Sequence, residues 1–182
     1  MNNETLPTPQ RVRFVQLNAR ALRALADGDL AGGSAEAGVA LDEHFVGDRA
    51  RWIFGYRADQ LAKDPSAAPW ITRAAVSEPD GAVVGDAGFH GPPDAAGTVE
   101  IGYTVVPGRR RQGYGRAMLR ALLARAAAEP GVRTVRATIR SDNTASLATI
   151  AGFGFTRVGE QGEERDGLDL VFELPADAIR TE

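Results

Sequence analysis

Hydrophobic and polar positions change period several times along the 182 residues, and each change marks an element. Arg11-Val12-Arg13-Phe14-Val15-Gln16-Leu17 alternates charge with apolar groups, the period of a half-buried strand. Asn18 then stands as an N-cap before the helical stripe Leu17, Ala21, Leu22 and Leu25, which ends near Gly28. Ala31 to Gly38 is small and glycine-rich and is expected as a loop or a mobile helix. Asp48 is expected to cap a helix from Arg49 to about Ala62, carrying Trp52, Ile53, Tyr56 and Leu61 and closed by Pro65 and Pro69. Its aromatics read first as helix-to-sheet packing and second as a wall of an acceptor site.

Trp70 to Val76 reads as a strand, Glu78-Pro79-Asp80-Gly81 as a tight turn, and Ala82 to Phe89 as the hairpin partner. After the loop Gly91 to Gly97, the β-branched run Val99 to Val106 predicts a strand. A glycine- and arginine-rich turn, Gly108 to Arg116, leads from it into a helix with Ala117, Met118, Leu119, Leu122 and Leu123, running to about Ala128. Pro130-Gly131 stops that helix. Val132 to Ile139 is the next strand, which after a helical crossover lies parallel to the one at Val99 to Val106. Asn143 to Gly152 suits a short helix. Phe153 to Gly159 and Leu168 to Leu174 pair around the polar turn Glu163 to Gly167. The pattern is that of one α/β domain with a mixed sheet, over residues 11–175. Residues 1–10 precede it as a polar tail; within the domain, 11–69 form an N-terminal part and 70–174 a core.

Composition narrows the chemistry. Apolar residues make up 43% and charged residues 25%, an ordinary globular balance. There is no cysteine, which excludes disulfides, thiolate metal sites and a cysteine nucleophile. The two histidines, His44 and His90, lie too far apart for a recognisable metal spacing, so no metal is expected. A net charge of −3 argues against nucleic acid as a partner despite the local arginines. With no signal pattern and no apolar run approaching the ~20 residues of a membrane span, a cytoplasmic protein without membrane contact is expected.

The turn at Arg109 to Arg116 aims backbone N–H groups and the positive end of a helix dipole at one point, an arrangement suited to phosphate. A nucleotide P-loop would need Gly-Lys-Ser/Thr, which is absent. A dinucleotide fingerprint would need a third small residue where Met118 stands, and an acidic residue about 20 positions later. An ordinary strand-to-helix turn with solvated arginines remains as the bland reading.

Arg110-x-x-Gly113-x-Gly115 after a strand resembles the acetyl-coenzyme A signature of the GNAT N-acetyltransferase superfamily. Asn143-Thr144-Ala145-Ser146, followed by Gly154-Phe155, resembles that superfamily's second motif. The wording Glu100-Ile101-Gly102-Tyr103…Pro107…Gly113-Tyr114-Gly115 is similar to the branch of ribosomal-protein N-terminal alanine acetyltransferases. The motifs span about residues 70–174. The resemblance implies a mixed, mostly antiparallel twisted sheet with flanking helices and a parallel strand pair that splays at its centre.

It also implies roles. The pantetheine arm of acetyl-CoA would enter the splay and pair with backbone near Thr104 and Val105. N–H groups of Arg111, Gln112, Gly113, Tyr114, Gly115 and Arg116 would hold the pyrophosphate, with one or two of Arg109, Arg110, Arg111 and Arg116 adding charge. Asn143 would hydrogen-bond the arm, a role compatible with helix capping. Acetyl transfer to an amine needs a base, a demanding one for lysine and a modest one for an α-amine. Glu100, the one carboxylate on the central strand, is the candidate, directly or through water; a cross-strand charge pair is its alternative. An oxyanion donor would be a backbone N–H near Thr104 or Val105.

The sequence departs from the family pattern at two points. The base some relatives carry five residues before the motif asparagine is replaced by Thr138, and the acidic tyrosine seven residues after it by Ile150. Ser146 is the candidate substitute acid; satisfying a backbone carbonyl within its own helix is its alternative, and a thiolate can also leave without an acid. His90 reads first as a structural histidine and second as part of the acceptor wall. The expected activity is acetyl-CoA-dependent N-acetyl transfer by direct attack on a small-molecule or peptide amine. The other class is a coenzyme A-binding regulator or scaffold without turnover. A homodimer, common among relatives, stays open.

Overall fold

The structure is a computed structural model that describes residues 10–162 and 167–179. All but Gln10 of the expected tail, and Glu163 to Asp166 of the last turn, lie outside the described residues. Seven strands form one sheet in the order β1-β2-β3-β4-β5-β7-β6. They are β1 (Val12–Gln16), β2 (Arg73–Ser77), β3 (Val83–Phe89), β4 (Thr98–Val105), β5 (Thr134–Arg140), β6 (Thr156–Gln161) and β7 (Asp169–Pro175). Every ladder is antiparallel except β4–β5.

The helices are α1 (Ala19–Asp27), α2 (Leu30–Ala37), α3 (Asp48–Lys63), α4 (Tyr114–Ala128) and α5 (Thr144–Ile150). Helix α4 is the crossover that makes β4 and β5 parallel. One buried cluster joins Val99 and Ile101 of β4 to Met118, Leu119, Leu122 and Leu123 of α4. A second joins Leu22 and Leu25 of α1 and Phe54 and Leu61 of α3 to Ala74 and Val76 of β2. Each fully buried Leu or Phe in these layers contributes about 1.5–3 kcal/mol of transfer free energy. Among the described residues no helix is long and apolar enough to cross a membrane.

Asn18 caps α1 as expected, its side chain accepting from Ala21 N, and Gly28 ends it in the left-handed region. Of the loop and the mobile helix expected at 31–38, the structure has a helix, α2, capped by the Asp29 side chain and ended by Gly38. Gly33 serves close approach there: a Cβ on it would lie 2.6 Å from Leu25 Cδ2. Two other expectations need correction. Asp48 does not cap α3 but is its first residue, with Gly47 at the cap and no side-chain bond. Trp70 lies before β2, not in it; its carbonyl accepts from Phe89 N at 2.7 Å and its ring meets Phe89 edge-on.

The β4–β5 ladder covers only Thr98, Val99 and Glu100, opposite Thr134, Val135 and Arg136. Beyond Glu100, β4 pairs with β3 through Ile101 to Val105, while β5 continues against β7 to Arg140. Glu100 is therefore the last β4 residue paired to β5, at the vertex of the splay.

Candidate active site

Two cavities open at this vertex. One, of about 690 Å³, is walled by Trp52, Tyr56 and Arg57 of α3, with His90, Glu100 and Thr138. The other, of about 1030 Å³, extends past Val105 to Arg110, Arg111 and the start of α4. Asp86, Tyr103, Thr104, Asn143 and Ser146 line both, so the two cavities meet there.

At the far end of the second cavity, the chain enters α4 through Gly113, which sits at φ 89° and makes no side-chain cap. In contrast, α1, α2 and α5 are each capped by a side chain. The first amides of α4 are thus left for an anion. Arg111 has φ 61°, the one non-glycine in the left-handed region among the described residues. Such backbone is kept where its surroundings over-determine it, often at ligand clamps. A Cβ at Gly115 would meet Thr149 and Val105 side chains only at ordinary contact, 3.6 to 3.8 Å. The fold does not require glycine there.

The arginines divide. Arg109 pairs with Asp80 at 2.9 Å. Arg116 donates to the Thr149 and Ala151 carbonyls and lies 4.8 Å over the Phe153 ring. Arg110 donates through Nε to Val105 O at 3.2 Å. The Gln112 amide turns back to Gly108 O, and this residue does not line the cavity. The Tyr114 ring is buried, its hydroxyl donating to Ser77 Oγ at 3.2 Å, so this residue can offer a ligand only its backbone.

Asn143 Oδ1 accepts from Ser146 N at 3.1 Å, the expected cap. That bond leaves its Nδ2 for another acceptor. Ser146 faces the Tyr103 hydroxyl together with Thr149. The Tyr103 hydroxyl is buried and has no hydrogen bond of good geometry. Burial raises its pKa, against Ser146 and Thr149, which lower it. Ile150, at the position of the family's tyrosine, is in the core.

On the face of the sheet covered by α3, residues alternate into two polar pairs. Asp86 stands opposite Thr104, and four positions along β3 and β4 the His90 ring meets Glu100, Nδ1 to Oε1 at 3.5 Å. Between them lies Gly102, over which His90 Nε2 sits 3.1 Å from where a Cβ would be. Burial lowers the His90 pKa, outweighing the raising effect of Glu100, and Arg57 lowers it further. The imidazole is thus neutral at pH 7. Asp86 is pushed up to about 7 by burial, with Arg49 and Thr104 opposing.

Glu100 lines the cavity, and the cross-strand contact with His90 is present, but without a charge on the ring at pH 7. Trp52 and Tyr56 do not pack against the sheet. They are 72% and 57% exposed and stack on each other with centroids 6.2 Å apart at the cavity wall, while Phe54, Ala58 and Leu61 face inward. Sequence reasoning missed Asp86, Arg57 and Tyr103. The first two sit on elements remote in sequence from the motifs, and Tyr103 was noted only as part of a motif. Among the described residues no group of three or more His, Cys, Asp or Glu could hold a metal ion.

The sheet is open and split at one parallel pair, with the start of α4 beside the split. Residues 22–156 match the sequence profile of the acetyltransferase (GNAT) domain, and the chain belongs to that family. Among solved structures, yncA of Salmonella typhimurium, described with its cofactor acetyl-CoA, is 25% identical with a TM-score of 0.55, over 93% of this chain and 95% of that one. RimJ of Mycobacterium smegmatis, in complex with CoA-disulfide, is 20% identical with a TM-score of 0.63, over 96% and 89%. The ribosomal-protein-S5-alanine acetyltransferase of Vibrio fischeri is 13% identical with a TM-score of 0.63, over 93% and 94%. No curated protein matches the sequence.

Proposed function

We propose that the protein transfers the acetyl group of acetyl-CoA to a primary amine by direct attack, the amine being a protein N-terminal α-amine or a small molecule. The observation that carries this is the meeting of two cavities at the splay of β4 and β5, one ending on free helix amides and the other on carboxylates. The ribosomal-protein alanine acetyltransferase of Vibrio fischeri, alike in fold, supports a protein N-terminus among the acceptors.

The pyrophosphate fits the α4 amides from Arg111 to Arg116, where the helix dipole adds about 0.3–1 kcal/mol. Arg111 makes no ion pair with described residues and is the arginine best placed to add charge-assisted contacts. The gap at Gly115 admits the ligand, and Asn143 Nδ2 remains to donate to a carbonyl of the arm. Thr104 and Val105 supply strand backbone, one N–H of which would hold the oxyanion.

In the transfer, the amine nitrogen bonds to the acetyl carbon, the carbon–sulfur bond breaks and its electron pair goes to sulfur. Glu100 takes the amine proton, directly or through water, with the His90 ring 3.5 Å from its carboxylate. Thr104 lies four strand residues from Glu100, roughly 13 Å along the chain, a span that favours the water-mediated route. Ser146, which lines both cavities, would donate its hydroxyl proton to the leaving sulfur.

With purified protein, acetyl-CoA and a panel of amines, free coenzyme A should appear, and Glu100→Gln should lower kcat roughly 10²–10⁴-fold with acetyl-CoA affinity kept. Tight acetyl-CoA binding without turnover on any amine would instead mark a regulator or scaffold.

A further inference from the structure

The residue that stands out among those without a role is Arg57. It is 7% exposed and lies in the wall of the acceptor cavity beside Glu100. Its Nη1 donates to the His90 carbonyl and to Gln60 Oε1, both at 2.8 Å. Its Nε is buried without a partner, and no carboxylate among the described residues forms an ion pair with it. Burial pulls its pKa down, Tyr56 and Glu100 oppose this without a direct bond, and the guanidinium lies 5.2 Å over the Tyr56 ring.

A buried cation left without a counter-ion is strongly unfavourable, and native chains avoid it unless a partner arrives. Holding the His90 carbonyl and the Gln60 amide oxygen needs no guanidinium charge. Arg49, another cation of the same wall, also has no ion pair among the described residues, and its charge acts on Asp86. A polyamine would need the opposite: surplus acid and no unpaired arginine.

We infer that the acceptor is a free α-amino acid with an apolar or aromatic side chain, its carboxylate received by Arg57 while its amine faces Glu100. This rests on the acetyl-transfer reading above. The amine and carboxylate of an α-amino acid are separated by one carbon, and Arg57 and Glu100 line the same cavity. Trp52 and Tyr56, stacked and exposed at the same wall, offer the side chain an aromatic surface. A protein N-terminus would present an amide to Arg57 and leave the charge unanswered.

The test uses the full chain with acetyl-CoA and five probe amines: L-phenylalanine, L-leucine, L-phenylalanine amide, 2-phenylethylamine and spermidine. Thiol release should show kcat/KM for L-phenylalanine ~10- to 100-fold above its amide and above 2-phenylethylamine, the span of a charge-assisted pair. Arg57→Gln should bring that ratio close to one. The wild-type ratios decide the matter even if the variant fails to fold. Equal turnover of the amide or the decarboxylated amine, preference for spermidine, or acetyl-CoA binding with no amino acid acetylated would each overturn the inference. Failure to bind acetyl-CoA at all would instead bring down the acetyl-transfer reading beneath it.

Discussion

Asp86 and Thr104 sit directly opposite each other across the β3–β4 ladder, and the threonine hydroxyl donates toward the carboxylate where the two cavities meet. Asp86 ionises near pH 7 instead of near 4, chiefly because burial disfavours its charged form. A raised carboxyl pKa means the folded chain holds the proton more tightly than the unfolded one. The stability this contributes is fully present below about pH 4 and lost as pH rises through about 7. Asp86→Asn cannot ionise, so its stability relative to the parent should climb over that interval and level off above it. Urea midpoints at about pH 5 and about pH 8 would show this. A difference that does not depend on pH would contradict the assignment.

Gly115 should separate folding from binding. Its Cβ position is open, and alanine is a better helix former by about 0.8–1.0 kcal/mol. Gly115→Ala is expected to keep or raise the melting temperature and to retain acetyl-CoA, since the family signature also takes alanine there, whereas Gly115→Glu should weaken acetyl-CoA at least several-fold. An unchanged dissociation constant for Gly115→Glu by calorimetry would remove the phosphate arm from this turn.

Gly113→Glu places a carboxylate among the amides that would meet the pyrophosphate and should abolish acetyl-CoA binding. Because Gly113 is left-handed, any side chain there costs roughly 1–2 kcal/mol. Gly113→Ala is the control: similar strain, nothing closer than Gln10 Cγ at 3.5 Å, and substantial affinity retained. Equal losses in both variants would show that strain, not charge, is responsible.

Tyr103→Phe removes a buried hydroxyl that has no good hydrogen bond, a group that costs about 1–3 kcal/mol when unsatisfied. The variant should be as stable as the parent or up to ~1 kcal/mol more stable, a rise of about 2–4 °C. A clear loss of stability would mean the hydroxyl has a partner after all.

The cofactor end of the site was legible because its parts are contiguous. Strand, glycine-bearing turn and helix follow each other from Thr98 to Ala128, so residue types and spacing carry the geometry. Glu100 was legible as a lone carboxylate on a strand. The acceptor end was not. Asp86 acquires meaning only through the register that sets it against Thr104, and Arg57 only through the packing of α3 beneath His90. On α3, Phe54, Ala58 and Leu61 make one stripe at helical spacing and Trp52, Ile53 and Tyr56 make another. Period alone does not choose which of two such stripes turns inward. The α2 glycines left loop and helix both open for a related reason, since glycine permits close helix contact as readily as a bend.

The brevity of the β4–β5 ladder has a mechanical consequence. Strands β1 to β4 and strands β5 to β7 are joined along a seam of three residue pairs, strapped by α4. An amide-bearing arm laid into the open part of that seam would act as added rungs, turning two loosely hinged half-sheets into one stiff plate. Backbone amides on both sides, from Gly102 to Val105 and from Ala137 to Ile139, would then gain protection from hydrogen exchange together. Loading with acetyl-CoA would assemble the sheet on which the acceptor is subsequently read.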